Sequence, residues 1–181
     1  AIHSMSKAVT TVAMMILYDQ GEFELNDNLS DYLPEYKNMM CQNGDLIEPC
    51  KNQIKIIDLL THRSGFGYYS DVYGTNNFIS EPSPLFKYMN TYLYDDLNEF
   101  SLAVSKQTLE FEPGKHYYYG LNQDILGRVI EVITGKTFYE FLVENLFIPL
   151  EMNNTKFHLT LDDREKFQPF FINKMPDTPM N

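Results

Sequence analysis

A serine and a lysine stand three positions apart near the start of the chain, at Ser4 and Lys7. Residues at i and i+3 share one face of a helix, so the lysine amine would lie one turn above the serine hydroxyl. The N–H groups and partial positive charge of a helix N-terminus would then face the serine oxygen. Apolar neighbours can push such a lysine toward its neutral form, which acts as a base. The pair is typical of an activated serine nucleophile, although an N-cap serine followed by a solvated lysine is the simpler interpretation.

A run of three tyrosines, Tyr117 to Tyr119, follows a Glu-Pro-Gly turn and offers a second reactive group. A phenol can share acid and base work when neighbouring cations lower its pKa. The alternative is a strand whose aromatic side chains alternate between core and surface.

The histidines and cysteines lack metal-site spacing, so we expect no metal and no cofactor. Gly135-Lys136-Thr137 is not a phosphate loop, because Ile130 stands where that loop needs glycine.

Helical patterns dominate the elements that would position these groups. Apolar residues predict a helix over 5–20, apolar nearly all round and therefore central in a domain, with Ser4 as its cap and Gly21 as its stop. Asn43-Gly44 predicts a type I′ turn in a hairpin over 37–48, and 68–83 is predicted as a long loop of the kind that often carries function. Further helices are predicted over 26–33, 54–62, 84–94, 97–106, 122–134 and 137–147.

Composition narrows the class of protein. The chain has 181 residues, 44% of them hydrophobic, which suits one globular domain over 1–181, ending in a polar tail over 158–181. Its net charge of −11 disfavours binding to nucleic acid or anionic membranes. The longest apolar run, 8–17, is too short to span a bilayer. Cys41 and Cys50 flank a turn and could pair, but two free thiols are the favoured interpretation.

Five short motifs follow one another in an order that resembles a known family. After Ser4-x-x-Lys7 come LLTHRSG over 59–65, Pro113-Gly114 ahead of Tyr119, DILG over 124–127 and PLEM over 149–152. This order resembles the serine β-lactamase-related family of class C β-lactamases, penicillin-binding-protein-like hydrolases and family VIII carboxylesterases, and most closely the last. The resemblance extends from His3 to about Phe157. It implies an α+β fold, of which this chain would be the mostly helical lobe of a β-lactamase/transpeptidase-like domain.

The resemblance also implies roles for individual residues. Ser4 would be the nucleophile, Lys7 would accept or relay its proton, and Tyr119 would share the base and acid work. The implied activity is hydrolysis of a small-molecule ester or amide through an acyl-enzyme, esterase-like and without a cofactor. His62 is expected mainly to hold its turn by hydrogen bonds. Three residues are candidates for binding or supporting the substrate, and the first is also the alternative tyrosine: Tyr118, His62 and Tyr69.

Departures from the family pattern refine this hypothesis. Leu121 stands where class C β-lactamases carry the asparagine of Tyr-x-Asn, which favours an esterase over a β-lactamase. Gly120 replaces the serine that follows the tyrosine, and Glu151 replaces the glycine of the PLGM turn, whose geometry it puts in question. No Lys-Thr-Gly or His-x-Gly segment, which would supply an oxyanion-hole N–H, follows Phe157.

That last departure leads to expectations for the whole chain. We expect most of the antiparallel sheet to be missing and the chain to be a helix-rich fragment of a longer domain. Apolar helix faces would then be exposed, or covered in an oligomer. The alternative functions are a catalytically incomplete module that serves in binding or structure, and a β-lactamase or D-amino-acid peptidase.

Overall fold

The computed structural model describes residues 2–68, 94–158 and 160–166, without the side chains of 164 and 166. The predicted helix over 84–94, apart from Tyr94, and the predicted loop over 68–83, apart from Tyr68, lie outside these residues. The elements of the described part are, in chain order, a 3-10 turn (His3–Met5), α1 (Ser6–Asp19), α2 (Leu29–Tyr32), a 3-10 turn (Pro34–Tyr36), β1 (Met40–Asn43), β2 (Leu46–Pro49), α3 (Ile56–Leu60), α4 (Leu97–Val104), α5 (Asn122–Thr134), α6 (Phe138–Leu142), a π-helical turn (Val143–Phe147) and α7 (Leu161–Lys166).

The central helix of the fold is α5, which packs against α1, α3, α4 and α6. Its apolar side chains recur at helical spacing, and Ile125, Leu126, Val129 and Ile130 are fully buried. Gly135 ends it in the left-handed conformation, with φ of +68°. The predicted bounds of this helix, 122–134, are confirmed.

The prediction that α1 occupies the centre is wrong. Thr10, Ala13, Met14 and Leu17 form its buried face, whereas Val12 on another face is 46% exposed. Apolar residues around the whole helix do not determine which faces are covered, because coverage depends on the neighbours that pack against it, such as α5.

The predicted hairpin is present, with a different turn and with paired cysteines. Strand β1 pairs antiparallel with β2 in a register that opposes Asn43 to Leu46, so the two-residue turn is Gly44-Asp45. Gly44 has φ of +62° and Asp45 does not have a positive φ, which fits a type II′ turn rather than type I′. Cys41 and Cys50 form a disulfide with Cα atoms 5.1 Å apart. The favoured interpretation as free thiols is wrong, because the hairpin brings the two residues together.

Two features bear on the expected partial fold. The one sheet in the described part of the chain has only the strands β1 and β2. Apolar side chains are exposed on several helices and turns, among them Leu102, Val132, Ile148 and Leu150, and their coverage by an oligomer stays a prediction. The predicted polar tail contains α7, a short helix of six residues. None of the described helices combines the length and hydropathy needed to traverse a bilayer.

Candidate active site

Ser4 and Lys7 lie on either side of the start of α1. Ser4 sits in the exposed 3-10 turn, and Lys7 is half-buried in the first turn of the helix. The predicted capping role of Ser4 is wrong, because Met5 precedes α1 and no side chain caps it. Instead, the Ser6 hydroxyl donates to the His3 carbonyl at 2.7 Å and closes the turn. The Ser4 hydroxyl is thereby left for other partners.

The third predicted residue, Tyr119, is distant in sequence but lies beside this pair in the fold. The Lys7 Nζ atom lies 4.8 Å from the centroid of the Tyr119 ring. Ser4 and Lys7 also interact with the Tyr119 phenol, and both interactions lower its pKa. The fold therefore brings together the three residues predicted to be catalytic.

The electrostatics of this cluster differ from the sequence-based prediction. Burial would lower the pKa of Lys7, but hydrogen bonds and charge interactions with Tyr119 and Tyr68 outweigh it and raise that pKa. The pKa of Tyr119 is lowered, chiefly by the hydrogen bond from Ser4 and then by Lys7, against the opposing effect of burial. The expectation of a neutral Lys7 is thus wrong: the lysine remains a cation, and its charge favours the phenolate form of Tyr119.

Tyr68 is a member of the cluster that sequence reasoning missed. Its ring centroid lies 6.0 Å from that of Tyr119, and its phenol shares hydrogen bonds with Lys7 and Tyr119. Burial raises its pKa, so it stays a neutral donor beside the two other groups. Its place directly after the LLTHRSG-Phe-Gly stretch was the available signal, but the prediction fell on Tyr69, which lies outside the described residues.

Tyr119 is held by close contact between two loops. The backbone N–H groups of Glu110, Gly114 and Tyr118 donate to carbonyls of Gly65, Arg63 and His62 at 2.8–2.9 Å. A Cβ atom added at Gly120 would lie 2.1 Å from the carbonyl oxygen of Phe66. Position 120 therefore requires glycine, because the two backbones lie too close together to leave room for a side chain.

The remaining candidates have different outcomes. The His62 ring stacks near the Tyr119 ring, with centroids 4.9 Å apart. Tyr118 instead packs edge-on near Phe111, with ring centroids 6.5 Å apart, and its side chain is partly exposed. The structure thus joins Tyr119, rather than Tyr118, to Ser4 and Lys7.

A cavity of about 600 Å³ adjoins the cluster. Lys7 and Asp124 line it together with mostly apolar side chains such as Phe138 and Phe157, whereas Ser4 is not part of its wall. Surrounding protein atoms raise the pKa of the Asp124 carboxyl, although the residue keeps solvent-exposed surface, and the charge of Lys7 opposes that rise. Among the residues with described positions, no group of three His, Cys, Asp or Glu side chains could hold a metal ion.

Comparison with known proteins connects this geometry to a family. The sequence profile of the family described as Beta-lactamase matches residues 1–169. A putative D-alanyl-D-alanine carboxypeptidase of Salmonella typhimurium is 31% identical over 151 residues, which cover 82% of this chain and 31% of that protein. A lovastatin esterase of Penicillium rubens is 28% identical over 184 residues, which cover 97% of this chain and 43% of the esterase.

The fold has a counterpart among solved structures. A beta-lactamase/D-alanine carboxypeptidase from Yersinia pestis superposes with a TM-score of 0.67 at 20% identity, over 92% of this chain and 42% of that one. At this identity the likeness concerns the fold alone. The chain spans less than half the length of each of these three proteins.

Proposed function

The chain belongs to the Beta-lactamase family, and from this membership and the cluster around Ser4 we propose that it is the part of a serine hydrolase that carries the nucleophile. The observation that carries the proposal is the convergence of Ser4, Lys7 and Tyr119. Ser4 and Tyr119 are 115 positions apart in sequence, yet Ser4 interacts with the Tyr119 phenol and lowers its pKa, beside one lysine cation. A hydroxyl donating to a phenol of lowered pKa is the arrangement that nucleophilic catalysis by serine requires.

The proposed reaction follows from these contacts. With Tyr119 as phenolate, the Ser4 proton passes to the Tyr119 oxygen while Oγ attacks the carbonyl carbon of the substrate. The tetrahedral adduct collapses, its bond to the leaving oxygen breaks, and the Tyr119 phenol returns the proton to that oxygen. A water molecule then gives a proton to the Tyr119 oxygen and attacks the acyl carbon. The bond from that carbon to Ser4 Oγ breaks, Tyr119 returns the proton to Oγ, and the acid is released.

Lys7 has an electrostatic role in this scheme. Its ammonium group lies against the Tyr119 ring and lowers the pKa of the phenol, so it stabilises the phenolate form. Because its own pKa is raised, it keeps that charge throughout the working pH range. Tyr119 is therefore assigned the proton transfers, and Lys7 keeps the pKa of Tyr119 low.

Esters are the proposed substrates. Leu121, at the place of the Tyr-x-Asn asparagine of class C β-lactamases, is fully buried in the core and has no side-chain hydrogen bond to offer a β-lactam. A relative named lovastatin esterase matches 97% of the chain. The relative named as a carboxypeptidase makes a D-alanyl-D-alanine peptide the necessary comparison substrate.

A fluorophosphonate probe tests the proposal directly, since it labels activated serines. The parent chain should be labelled and Ser4→Ala should not, whereas Ser105→Ala is the matched control, because Ser105 follows the end of α4 and its hydroxyl donates to the Leu102 carbonyl. Turnover of a chromogenic ester, the D-alanyl-D-alanine peptide and a chromogenic cephalosporin would then rank the substrates. Absence of Ser4-dependent labelling in folded protein would favour the alternative, a binding or structural module.

A further inference from the structure

Three polar side chains, Ser64, Asn122 and His62, are linked in a row behind Tyr119. Asn122 and Ser64 are fully buried, and the Ser64 hydroxyl donates to the Asn122 carbonyl oxygen. The Asn122 amide nitrogen lies 2.9 Å from Nδ1 of His62. Burying three polar groups costs free energy unless each is satisfied. Neither the proton transfers nor the core packing described above uses this row.

The backbone of His62 is also unusual. Arg63 N–H donates to the Asp58 carbonyl and His62 N–H to the Leu59 carbonyl, which is the Schellman pattern of hydrogen bonds at the end of α3. His62 occupies its left-handed position, with φ of +54°, where glycine is the usual residue. A side chain at such a position carries a conformational cost, and residues of this kind concentrate at functional sites.

The hydrogen bonds determine which nitrogen of His62 is protonated. The Phe66 N–H donates to the Ser64 oxygen at 3.2 Å, and the Ser64 hydroxyl donates to the Asn122 carbonyl oxygen. The Asn122 amide nitrogen, which can only donate, must then face His62. Nδ1 of His62 is therefore an unprotonated acceptor, and the proton of the neutral ring is on Nε2.

We propose that His62 is a positioning residue for Tyr119, held as a neutral ring in the Nε2–H form by the Ser64–Asn122 pair. The stacked rings, with centroids 4.9 Å apart at a tilt of 32°, orient the phenol toward Ser4. The consequence for Tyr119 rests on the proposed function, whereas the state of the imidazole does not.

The neutral state matters because of the groups around the ring. Lys7 from α1 and Tyr117 and Tyr119 from the tyrosine run face His62, beside Asn122 from α5. Burial, and next the charge of Lys7, lower the pKa of His62, in agreement with the geometry. An imidazolium here would be a second cation next to Tyr119. Because His62 is held neutral, the pKa of the Tyr119 phenol is controlled by the charge of Lys7.

Nitrogen-15 NMR of the histidine-labelled chain measures this state without any substrate. The His62 signals are identified by their loss in His62→Asn, an exchange that tolerates the left-handed backbone. We expect an unprotonated Nδ1 and a protonated Nε2, with a titration midpoint below the ordinary value for histidine. An Nδ1–H tautomer, or a midpoint at or above the ordinary value, would overturn the proposal.

Asn122→Asp supplies the second arm, because a carboxylate in place of the amide would accept a proton from Nδ1. The His62 midpoint should rise by about one pH unit or more, and the pH profile of fluorophosphonate labelling should gain an ionisation near neutrality that the parent lacks. An unchanged midpoint in folded Asn122→Asp contradicts the proposal. If the variant does not fold, the His62 tautomer measured in the parent still tests the proposal. Absence of labelling in the parent, with the tautomer as expected, would refute the proposed function alone.

Discussion

The Lys7 ammonium nitrogen lies 4.8 Å from the centre of the Tyr119 ring, so a cation from the first turn of α1 is held against a phenol more than 110 positions later in the chain. Through this contact the pKa of the phenol depends on the charge of the lysine, which lowers it.

Removing the Tyr119 hydroxyl should abolish most proton transfer while sparing the fold. Tyr119 is 39% exposed, so Tyr119→Phe should leave the melting temperature nearly unchanged. General acid–base catalysis contributes about 10²–10⁴-fold, and the rate of Ser4 labelling and of ester turnover should fall by that order. Tyr117→Phe is the matched control, since Tyr117 is more exposed and has no part in the cluster. Equal losses in the two variants would refute the role of Tyr119.

Neutralising Lys7 should move the pH dependence of activity in a defined direction. The pKa of Tyr119 is lowered from 10.0, and Lys7 contributes to that lowering by hydrogen bond and by charge. In Lys7→Met the pKa of Tyr119 should therefore rise, and the limb on which labelling increases with pH should shift to more alkaline pH.

Lys7→Arg provides the control for charge. It keeps a cation near the phenol, so its profile should stay closer to that of the parent than the profile of Lys7→Met does. A profile of Lys7→Met that coincides with the parent's would show that the lysine does not set the pKa of Tyr119.

These contacts show where sequence reasoning succeeds. The bounds of α5 follow from local signals, an amphipathic repeat ended by Gly135, and the structure confirms them. The approach of Ser4, Lys7 and Tyr119 was predicted from the order of motifs in a family to which the chain belongs. Their chemical roles remain a proposal.

Other features depend on contacts that no local pattern encodes. The charge state of Lys7 is set by Tyr119 and Tyr68, which approach it only in the folded chain. The Cys41–Cys50 disulfide depends on the register of a hairpin, and a shift of the turn by one residue changes that register. The exposed face of α1 is likewise decided by which neighbours pack on the opposite face.

A side chain at Gly120 should destabilise the protein and disturb the site together. The added Cβ of Gly120→Ala would lie 2.1 Å from a backbone oxygen of Phe66, which cannot rotate away as a side-chain atom could. Overpacking of this kind costs about 1–3 kcal/mol of unfolding free energy, and we expect the upper end, with a loss of Ser4 labelling in the fraction that stays folded.

Gly135→Ala separates this crowding from ordinary backbone strain. Gly135 has φ of +68° and nothing within 4 Å of an added Cβ. Its cost should be about 1 kcal/mol, which is about 1–2 kcal/mol of strain less about 0.4–1 kcal/mol from the reduced freedom of the unfolded chain, with labelling unchanged. Chemical denaturation measures both variants. If Gly120→Ala labels at the parental rate, the close approach to Phe66 does not position Tyr119.

Glu151 offers the opposite case, a substitution that should stabilise. It adopts φ of +54°, in the turn where the family pattern has glycine, so the turn is kept at the cost of a side chain in the left-handed region. Glu151→Gly removes about 1–2 kcal/mol of that strain. The greater freedom of the unfolded chain lowers the unfolding free energy by about 0.4–1 kcal/mol. A net gain of about 1 kcal/mol in unfolding free energy follows from the difference between these two effects. Asn153→Gly, two residues on and without a positive φ, should only destabilise. A loss of stability in Glu151→Gly would mean that the Glu151 side chain makes stabilising interactions that exceed its backbone strain.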